Sequence, residues 1–211
     1  MNQYNALIPI NVLTGFLGSG KTTLLQRLLY SPGLANTAVL VNEFGEVGLD
    51  HQLLQHVTEN VLLLENGCMC CSIRDDLQTA LKELLSCRAK TDETNFDRVV
   101  IESSGLADPV PIAYTLLTDS VVQHHFRLGN IVTTVDSVNA DFQLGQFPET
   151  EKQIATADRI VLTKTDLTDP DTIKMLSAKL RKINLVAQIL EVNSPDCTAD
   201  QLFVDDIYHP D

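Results

Sequence analysis

Residues 15–22, with the sequence Gly-Phe-Leu-Gly-Ser-Gly-Lys-Thr, constrain the fold of this chain more than any other stretch. They fit the pattern G-x-x-x-x-G-K-[S/T], follow an apolar run and precede leucines at helical spacing. A strand that turns through glycines into a helix directs backbone N–H groups and the positive end of the helix dipole at an anion. In such a loop Lys21 reaches the β- and γ-phosphates and Thr22 ligates Mg²⁺. The pattern predicts a nucleoside-phosphate site; the alternative is a glycine-rich turn that binds nothing.

Apolar, strand-like runs alternate with helix-period segments along the chain, which predicts an α/β domain with a mainly parallel sheet between two layers of helices. The predicted strands are 7–14, 37–41, 61–64, 98–101, 129–135, 159–163 and 186–190. The predicted helical segments are 74–86, 109–118, 149–157 and 171–182. Ligands of such sheets collect outside the carboxyl ends of the strands, so the loops after strands are expected to hold the chemistry. We expect residues 1–211 to form one domain.

The apolar strand at 98–101 is followed by Glu102 and then by Ser-Ser-Gly. A strand-end acid beside a phosphate loop is where proteins of this class hold Mg²⁺. Gly105 would let a main-chain N–H approach the γ-phosphate without a side chain in the way. An ordinary surface acid is the alternative for Glu102, but its pairing with Lys21 and Thr22 favours the metal role.

A second strand-end motif, Thr163-Lys164-Thr165-Asp166, resembles the N-K-x-D of GTP-binding proteins. Its aspartate accepts hydrogen bonds from N1–H and N2–H₂ of guanine, a pair of donors that adenine lacks, so such a site rejects the wrong base. Lys164 would lay its methylene stem along the base. Thr163 replaces the usual asparagine, which we expect to weaken a contact that supports the loop. The motif favours GTP over ATP.

Three cysteines, Cys68, Cys70 and Cys71, follow the strand at 61–64 on a loop that begins with glycine. Three thiolates this close can converge on Zn²⁺, Co²⁺ or Cu⁺ and leave a fourth tetrahedral position open, which suits a transferable ion. The alternatives are a buried cysteine cluster, or two ligands and a bystander. The acidic, glycine-containing segment 42–50 precedes this loop and is predicted to be a switch. Its acids Glu43, Glu46 and Asp50 offer carboxylates to Mg²⁺, to the thiolate-bound ion or to a catalytic water, which Glu43 or Glu46 would orient; a solvated acidic loop is the alternative.

The net charge of −13 argues against nucleic acid and anionic membranes as partners. The first residues show no basic signal-peptide region, and no apolar run approaches the ~20 residues that cross a bilayer. Clustered thiols are typical of a reducing compartment. We therefore expect a cytoplasmic protein.

Five segments occur in a fixed order: GFLGSGKTT, NEFGEVGLD, GCMCC, ESSGLADP and TKTD. Together they resemble the CobW family of P-loop GTPases, in particular its YjiA-like branch, from about residue 8 to 194. The resemblance implies slow GTP hydrolysis coupled to delivery of a metal ion to a client metalloprotein. Family members usually continue into a smaller C-terminal domain, so we expect a GTPase-domain fragment rather than a shortened member.

The resemblance also implies roles for individual residues. The predicted nucleotide-binding residues are Gly15, Gly18, Ser19, Gly20, Lys21, Thr22, Thr23, Gly105, Thr163, Lys164 and Asp166. Thr22 and Glu102 are predicted to serve Mg²⁺, and Cys68, Cys70 and Cys71 the transferred ion, which is zinc in most members and cobalt or iron in some branches. The predicted catalytic residues are Lys21, Glu102, Glu43 and Glu46.

Two other functions remain open from the sequence. A non-catalytic assembly factor would bind nucleotide and metal without turnover. A small-molecule kinase with a structural zinc would prefer ATP, which the Thr-Lys-Thr-Asp motif disfavours. The sequence specifies neither the client nor the oligomeric state.

Overall fold

A computed structural model describes residues 7–41, 61–65, 73–88 and 96–203 of the chain. Within these residues seven strands form one sheet. Their bounds are β1 Ile8–Gly15, β2 Thr37–Val41, β3 Val61–Glu65, β4 Arg98–Glu102, β5 Phe126–Asp136, β6 Arg159–Thr163 and β7 Gln188–Glu191. The order across the sheet is β3-β2-β4-β1-β5-β6-β7, and every neighbouring pair is parallel.

Helices cover both faces of this sheet. Those of the described residues are α1 Lys21–Leu29, α2 Ile73–Arg88, α3 Pro109–Thr118, α4 Ser120–Gln123, α5 Ala140–Gln146, α6 Pro148–Ala155, α7 Pro170–Ile183 and α8 Ala199–Leu202. Single 3₁₀ turns occur at Pro32–Leu34 and Thr165–Leu167. In the parts of the chain that the structure describes, no helix combines the length and apolar character needed to cross a bilayer.

The side chains of the strands contribute alternately to two hydrophobic cores, one on each face of the sheet, because successive residues of a strand point to opposite faces. On one face Leu24, Leu25 and Leu28 of α1 pack with Leu13 and Val100. On the other face two buried hydrophobic clusters lie next to each other along the sheet. The first joins α2 and α3 to β1, β2 and β4, and the second joins α6 and α7 to β5 and β6. Both faces are covered, which is why the strands read as nearly continuous apolar runs.

The central strand β1 positions the site. It lies between β4 and β5, although β4 is reached only after the chain has passed through β2 and β3. The order of strands therefore reverses beside β1, and a crevice opens at such a point outside the carboxyl ends of the strands. The loops after β1, β4, β5 and β6 meet at that edge.

The structure confirms the three-layer α/β fold, the parallel sheet and all seven predicted strands. Strand β7 begins two residues later than predicted, because Oδ1 of Asn184 accepts hydrogen bonds from the N–H groups of Val186 and Ala187 and holds a turn there. Strand β5 begins three residues earlier than predicted, at Phe126. The short helices α4, α5 and α8 were not predicted, since they are too brief to show a helical period.

Candidate nucleotide site at the carboxyl edge of the sheet

The phosphate loop (residues 15–22) joins β1 to α1 and packs tightly on β5. Gly15 has φ +142°, and a Cβ there would clash with Oγ1 of Thr134, so only glycine fits. The hydroxyl groups of Ser19 and Thr134 lie 2.7 Å apart and add a second link to the same strand. The position of the loop is therefore set by the strand beside it.

The side chain of Lys21 lies back over this loop. Its Nζ donates to the carbonyl oxygens of Gly15 at 3.1 Å and Phe16 at 3.3 Å. Gly20 precedes α1 in the left-handed conformation and supplies no side-chain cap to the first turn. An ammonium group over the loop and an uncapped helix start both favour an anion.

Thr22 and Glu102 meet at the start of α1. The Thr22 hydroxyl donates a 2.6 Å hydrogen bond to Oε1 of Glu102, and Glu102 is only 2% exposed. The pairing of Leu13 with Glu102 brings the end of β4 beside the start of the phosphate loop. A hydroxyl oxygen and a carboxylate oxygen are ligands that Mg²⁺ prefers, so these two residues fit such an ion.

The loop after β4 (residues 103–108) packs directly on the phosphate loop. A Cβ at Gly105 would lie 2.7 Å from the backbone nitrogen of Leu17, so no larger residue fits without a shift. The hydroxyl of Ser103 donates to Oγ1 of Thr14 at 2.9 Å. The loop ends at Asp108, which caps α3 by accepting from the N–H of Val110.

The Thr-Lys-Thr-Asp motif follows β6 and is tied to the phosphate loop. The hydroxyl of Thr163 donates to the carbonyl oxygen of Ser19 at 2.8 Å. The threonine hydroxyl thus makes a supporting contact itself, and the expected weakening relative to asparagine stays a prediction. Lys164 adopts a left-handed φ of +56°, and Asp166 is exposed in the next turn.

Asp136, at the end of β5, is a buried acid that the sequence interpretation missed. Its Oδ2 is 2.6 Å from Nζ of Lys164, and its carboxylate also accepts from the side chain of Asn139 and the N–H of Val138. Burial by itself raises the pKa of Asp136. The hydrogen bonds and charge of Lys164, with the other donors, outweigh burial, and the net pKa is lowered. An acid that closes an apolar strand, as Glu102 does, was the available signal.

A cavity of about 430 Å³ follows β7 at the same edge of the sheet, lined in part by Glu191, Asn193, Ser194 and Asp196. The N–H of Val192 donates to the carbonyl oxygen of Leu162 at 2.8 Å, which holds this loop against β6. Residues 191–196 match no motif, so the sequence predicts no site in this loop.

Four of the predicted elements are therefore brought together: the phosphate loop, Glu102, Gly105 and the motif after β6. Glu43, Glu46, Cys68, Cys70 and Cys71 lie outside the described residues. Among the residues that are described, no three His, Cys, Asp or Glu side chains are grouped to hold a metal ion.

The chain is similar to known proteins over most of its length. Residues 9–191 match the family model described as CobW/HypB/UreG, nucleotide-binding domain. The chain belongs to the CobW/HypB/UreG family. The zinc chaperone YjiA of Escherichia coli K12 is 41% identical over 198 residues, covering 93% of this chain and 61% of YjiA.

Two further matches are informative. The zinc-regulated GTPase metalloprotein activator 1 of Schizosaccharomyces pombe is 36% identical over 191 residues, covering 87% of this chain and 45% of that protein. The crystal structure of Zn(II)-bound YjiA GTPase from E. coli superposes with a TM-score of 0.71 at 34% identity, over 93% of this chain and 61% of that one. The chain thus spans between about half and three-fifths of the length of these relatives.

Proposed function

We propose that this chain is the GTP-binding and GTP-hydrolysing unit of a zinc metallochaperone. One observation carries the proposal: hydrogen bonds join the phosphate loop to Glu102 through Thr22, and to the Thr-Lys-Thr-Asp motif through Thr163. The residues assigned to phosphate, Mg²⁺ and guanine are thereby joined in one hydrogen-bonded junction. Relatives named zinc chaperone and zinc-regulated GTPase support the same function.

In this proposal each residue of the junction has its own role in hydrolysis. Lys21 leaves the two loop carbonyls to neutralise the β- and γ-phosphates, and the first-turn N–H groups of α1 hold phosphate oxygens. Thr22 and Glu102 hold Mg²⁺, which when bound neutralises charge that develops on the phosphate oxygens. Gly105 presents its N–H to the γ-phosphate. Glu43 or Glu46 orients the attacking water.

Guanine selection is assigned to the loop after β6. Asp166 accepts hydrogen bonds from the two guanine donors, and the stem of Lys164 packs on the base. Nζ of Lys164 lies 2.6 Å from Oδ2 of Asp136, which holds the far end of that stem. Thr163 links this loop to the phosphate loop through its hydrogen bond to the carbonyl oxygen of Ser19. The remaining nucleotide contacts are those of Gly18, Ser19, Gly20 and Thr23.

The cargo ion is assigned to Cys68, Cys70 and Cys71. Thiolates favour zinc, with cobalt as a second candidate, and a three-cysteine set leaves one position for a ligand of the client metalloprotein. The thiols need a reducing compartment, so we place the function in the cytoplasm. The crystal structure of a Zn(II)-bound relative supports zinc over the alternatives.

Single-turnover hydrolysis of GTP, with Mg²⁺ and with or without Zn²⁺, tests this function. We expect slow release of phosphate from GTP and none from ATP. Tight GTP binding without any turnover would instead establish a non-catalytic assembly factor. Preference for ATP, with phosphate transferred to an acceptor, would establish a kinase.

Zinc binding has its own test, a titration with Zn²⁺ in the presence of GTP and then of GDP. Cys70→Ser is expected to weaken Zn²⁺ binding at least about tenfold, because it removes one of three thiolates. Cys87→Ser is the matched control, since Cys87 lies on α2 outside the proposed ligand set. Equal affinities for Cys70→Ser and the unmodified chain would reject the three-cysteine site.

A further inference from the structure

The side chain of Gln153 in α6 donates hydrogen bonds to main-chain carbonyl groups of the loop after β4. Its Nε2 donates to the carbonyl oxygens of Gly105 at 3.2 Å and Ala107 at 3.0 Å. Both partners are acceptors, so only the amide nitrogen can face them and the orientation of the side chain is determined. The residue is 1% exposed, and no sequence motif pointed to it.

The glutamine itself is firmly anchored. Its own carbonyl oxygen accepts from the hydroxyl of Thr133 on β5 at 2.9 Å and from that of Thr156 at 3.2 Å. The preceding residue, Lys152, forms a 3.4 Å ion pair with Asp108 at the far end of the same loop. Helix α6 thus contacts the loop at Gly105, Ala107 and Asp108.

Gly105 is consequently enclosed from two directions. On one side the backbone of Leu17 in the phosphate loop leaves no room for a Cβ. On the other side Gln153 holds the carbonyl group of the same glycine. The carbonyl group that Gln153 holds belongs to the peptide unit after the one that carries the Gly105 N–H, and the two units share the Cα of Gly105. Holding this carbonyl group therefore limits how far the Gly105 N–H can move from the phosphate loop.

A role confined to packing does not account for a glutamine at this position. Oε1 of Gln153 is buried without a hydrogen-bond partner among the described residues. Burying an unpaired amide oxygen costs free energy that a methionine of similar size would not incur. The compensating interactions of the side chain are its two hydrogen bonds to the loop after β4.

We propose that Gln153 is a positioning residue for recognition of the γ-phosphate: it holds Gly105 where its N–H meets the third phosphate of GTP. This inference rests on the proposed GTP site and adds a residue to it. Discrimination between a triphosphate and a diphosphate then depends on a side chain that touches neither.

The test compares affinities of the whole chain for GTPγS and GDP in the presence of Mg²⁺. Gln153→Met removes both donors and keeps the volume, and we expect the GTPγS-to-GDP affinity ratio to fall about tenfold, the effect of one to two hydrogen bonds. GDP affinity is expected to change less than about twofold. Thr133→Val, which removes one of the two hydroxyl groups that donate to the main-chain carbonyl of Gln153, is expected to lower the ratio about threefold.

Asn184 supplies the matched control, because it is also a buried amide that donates to backbone carbonyls. Its Nδ2 donates to the main-chain carbonyl groups of Ile154, near the C-terminus of α6, and of Ala157 just beyond it, and neither residue belongs to the loop after β4. Asn184→Leu is expected to lower stability in urea and leave the affinity ratio unchanged. An unchanged ratio in Gln153→Met, or in Thr133→Val if the former does not fold, would overturn the inference. An unmodified chain that binds neither nucleotide would instead overturn the proposed function.

Discussion

The hydroxyl of Thr22 lies 2.6 Å from Oε1 of Glu102, although the two residues are 80 positions apart. One belongs to the first turn of α1 and the other ends β4, and parallel pairing of β4 with β1 brings them together. This pair connects the phosphate loop to the loop that carries Gly105. Any ion held there is coupled to both loops.

Glu102→Gln is expected to weaken Mg²⁺-dependent binding of GTP about ten- to a hundredfold, because a neutral amide replaces the charged ligand. Titration of Mg²⁺ against a fixed concentration of GTP measures this change. Glu151→Gln, an exposed acid of α6, is the control and is expected to change nothing. If nucleotide affinity in Glu102→Gln stayed equally dependent on Mg²⁺, the acid would have only a structural role.

Asp166→Asn is expected to weaken GTP binding by roughly a hundredfold or more and to improve binding of xanthosine triphosphate, whose base has a carbonyl acceptor where guanine has its 2-amino donor. Competition binding with GTP, xanthosine triphosphate and ATP provides the measurement. Asp169→Asn, three residues further on, is the matched control. Asp169 caps α7 through the N–H of Thr172, so its loss is expected to affect stability alone. A parallel loss of ATP binding in Asp166→Asn would contradict base recognition.

The lowered pKa of Asp136 predicts a pH-dependent contribution to stability. A carboxylate whose folded-state pKa is depressed stabilises the fold above its ordinary pKa, and this contribution is lost as the pH falls through the folded-state value. Asp136→Asn is therefore expected to cost about 1–3 kcal/mol at about pH 7 and progressively less below pH ~4. Urea unfolding at several pH values measures the difference.

The Lys179–Asp141 pair is the control for that experiment. Its Nζ–Oδ1 distance of 2.7 Å resembles the Lys164–Asp136 distance, but both side chains are substantially exposed. Asp141→Asn is expected to cost less than about 1 kcal/mol at any pH. A difference between Asp136→Asn and the unmodified chain that stayed constant from neutral pH to about pH 3 would refute the assignment.

Two glycines of the phosphate loop differ in the reason why a larger residue is unfavourable there. Gly18 has φ +69° and open space where a methyl group would be added, whereas a Cβ at Gly15 would meet Thr134 and Ser19 within 2.7 Å. We expect Gly18→Ala to cost about 1–2 kcal/mol, from backbone strain alone. Gly15→Ala is expected to cost about 3 kcal/mol or more, since a packed strand must also shift. Equal costs in urea unfolding would show that the loop can move away from β5.

Much of the fold was predictable because its signals are local. Apolar runs marked the strands, leucines at helical spacing marked α1, and Asp108-Pro109 marked the start of α3. The parallel sheet followed from the alternation of strands and helices. Within the candidate site, the phosphate loop and the Thr-Lys-Thr-Asp motif were recognisable because their chemistry needs particular residues at fixed spacing.

The sequence by itself determined which residues are candidates for binding phosphate, Mg²⁺ and guanine. These residues stand in motifs, and a motif is a property of neighbouring positions. Which of these residues meet depends on the packing of distant elements. Asp136 and Gln153 carry no motif, and their roles depend on which carbonyl or ammonium group another strand or loop places beside them. Long-range contacts are set by the order of strands in the sheet, and linear spacing does not encode that order directly.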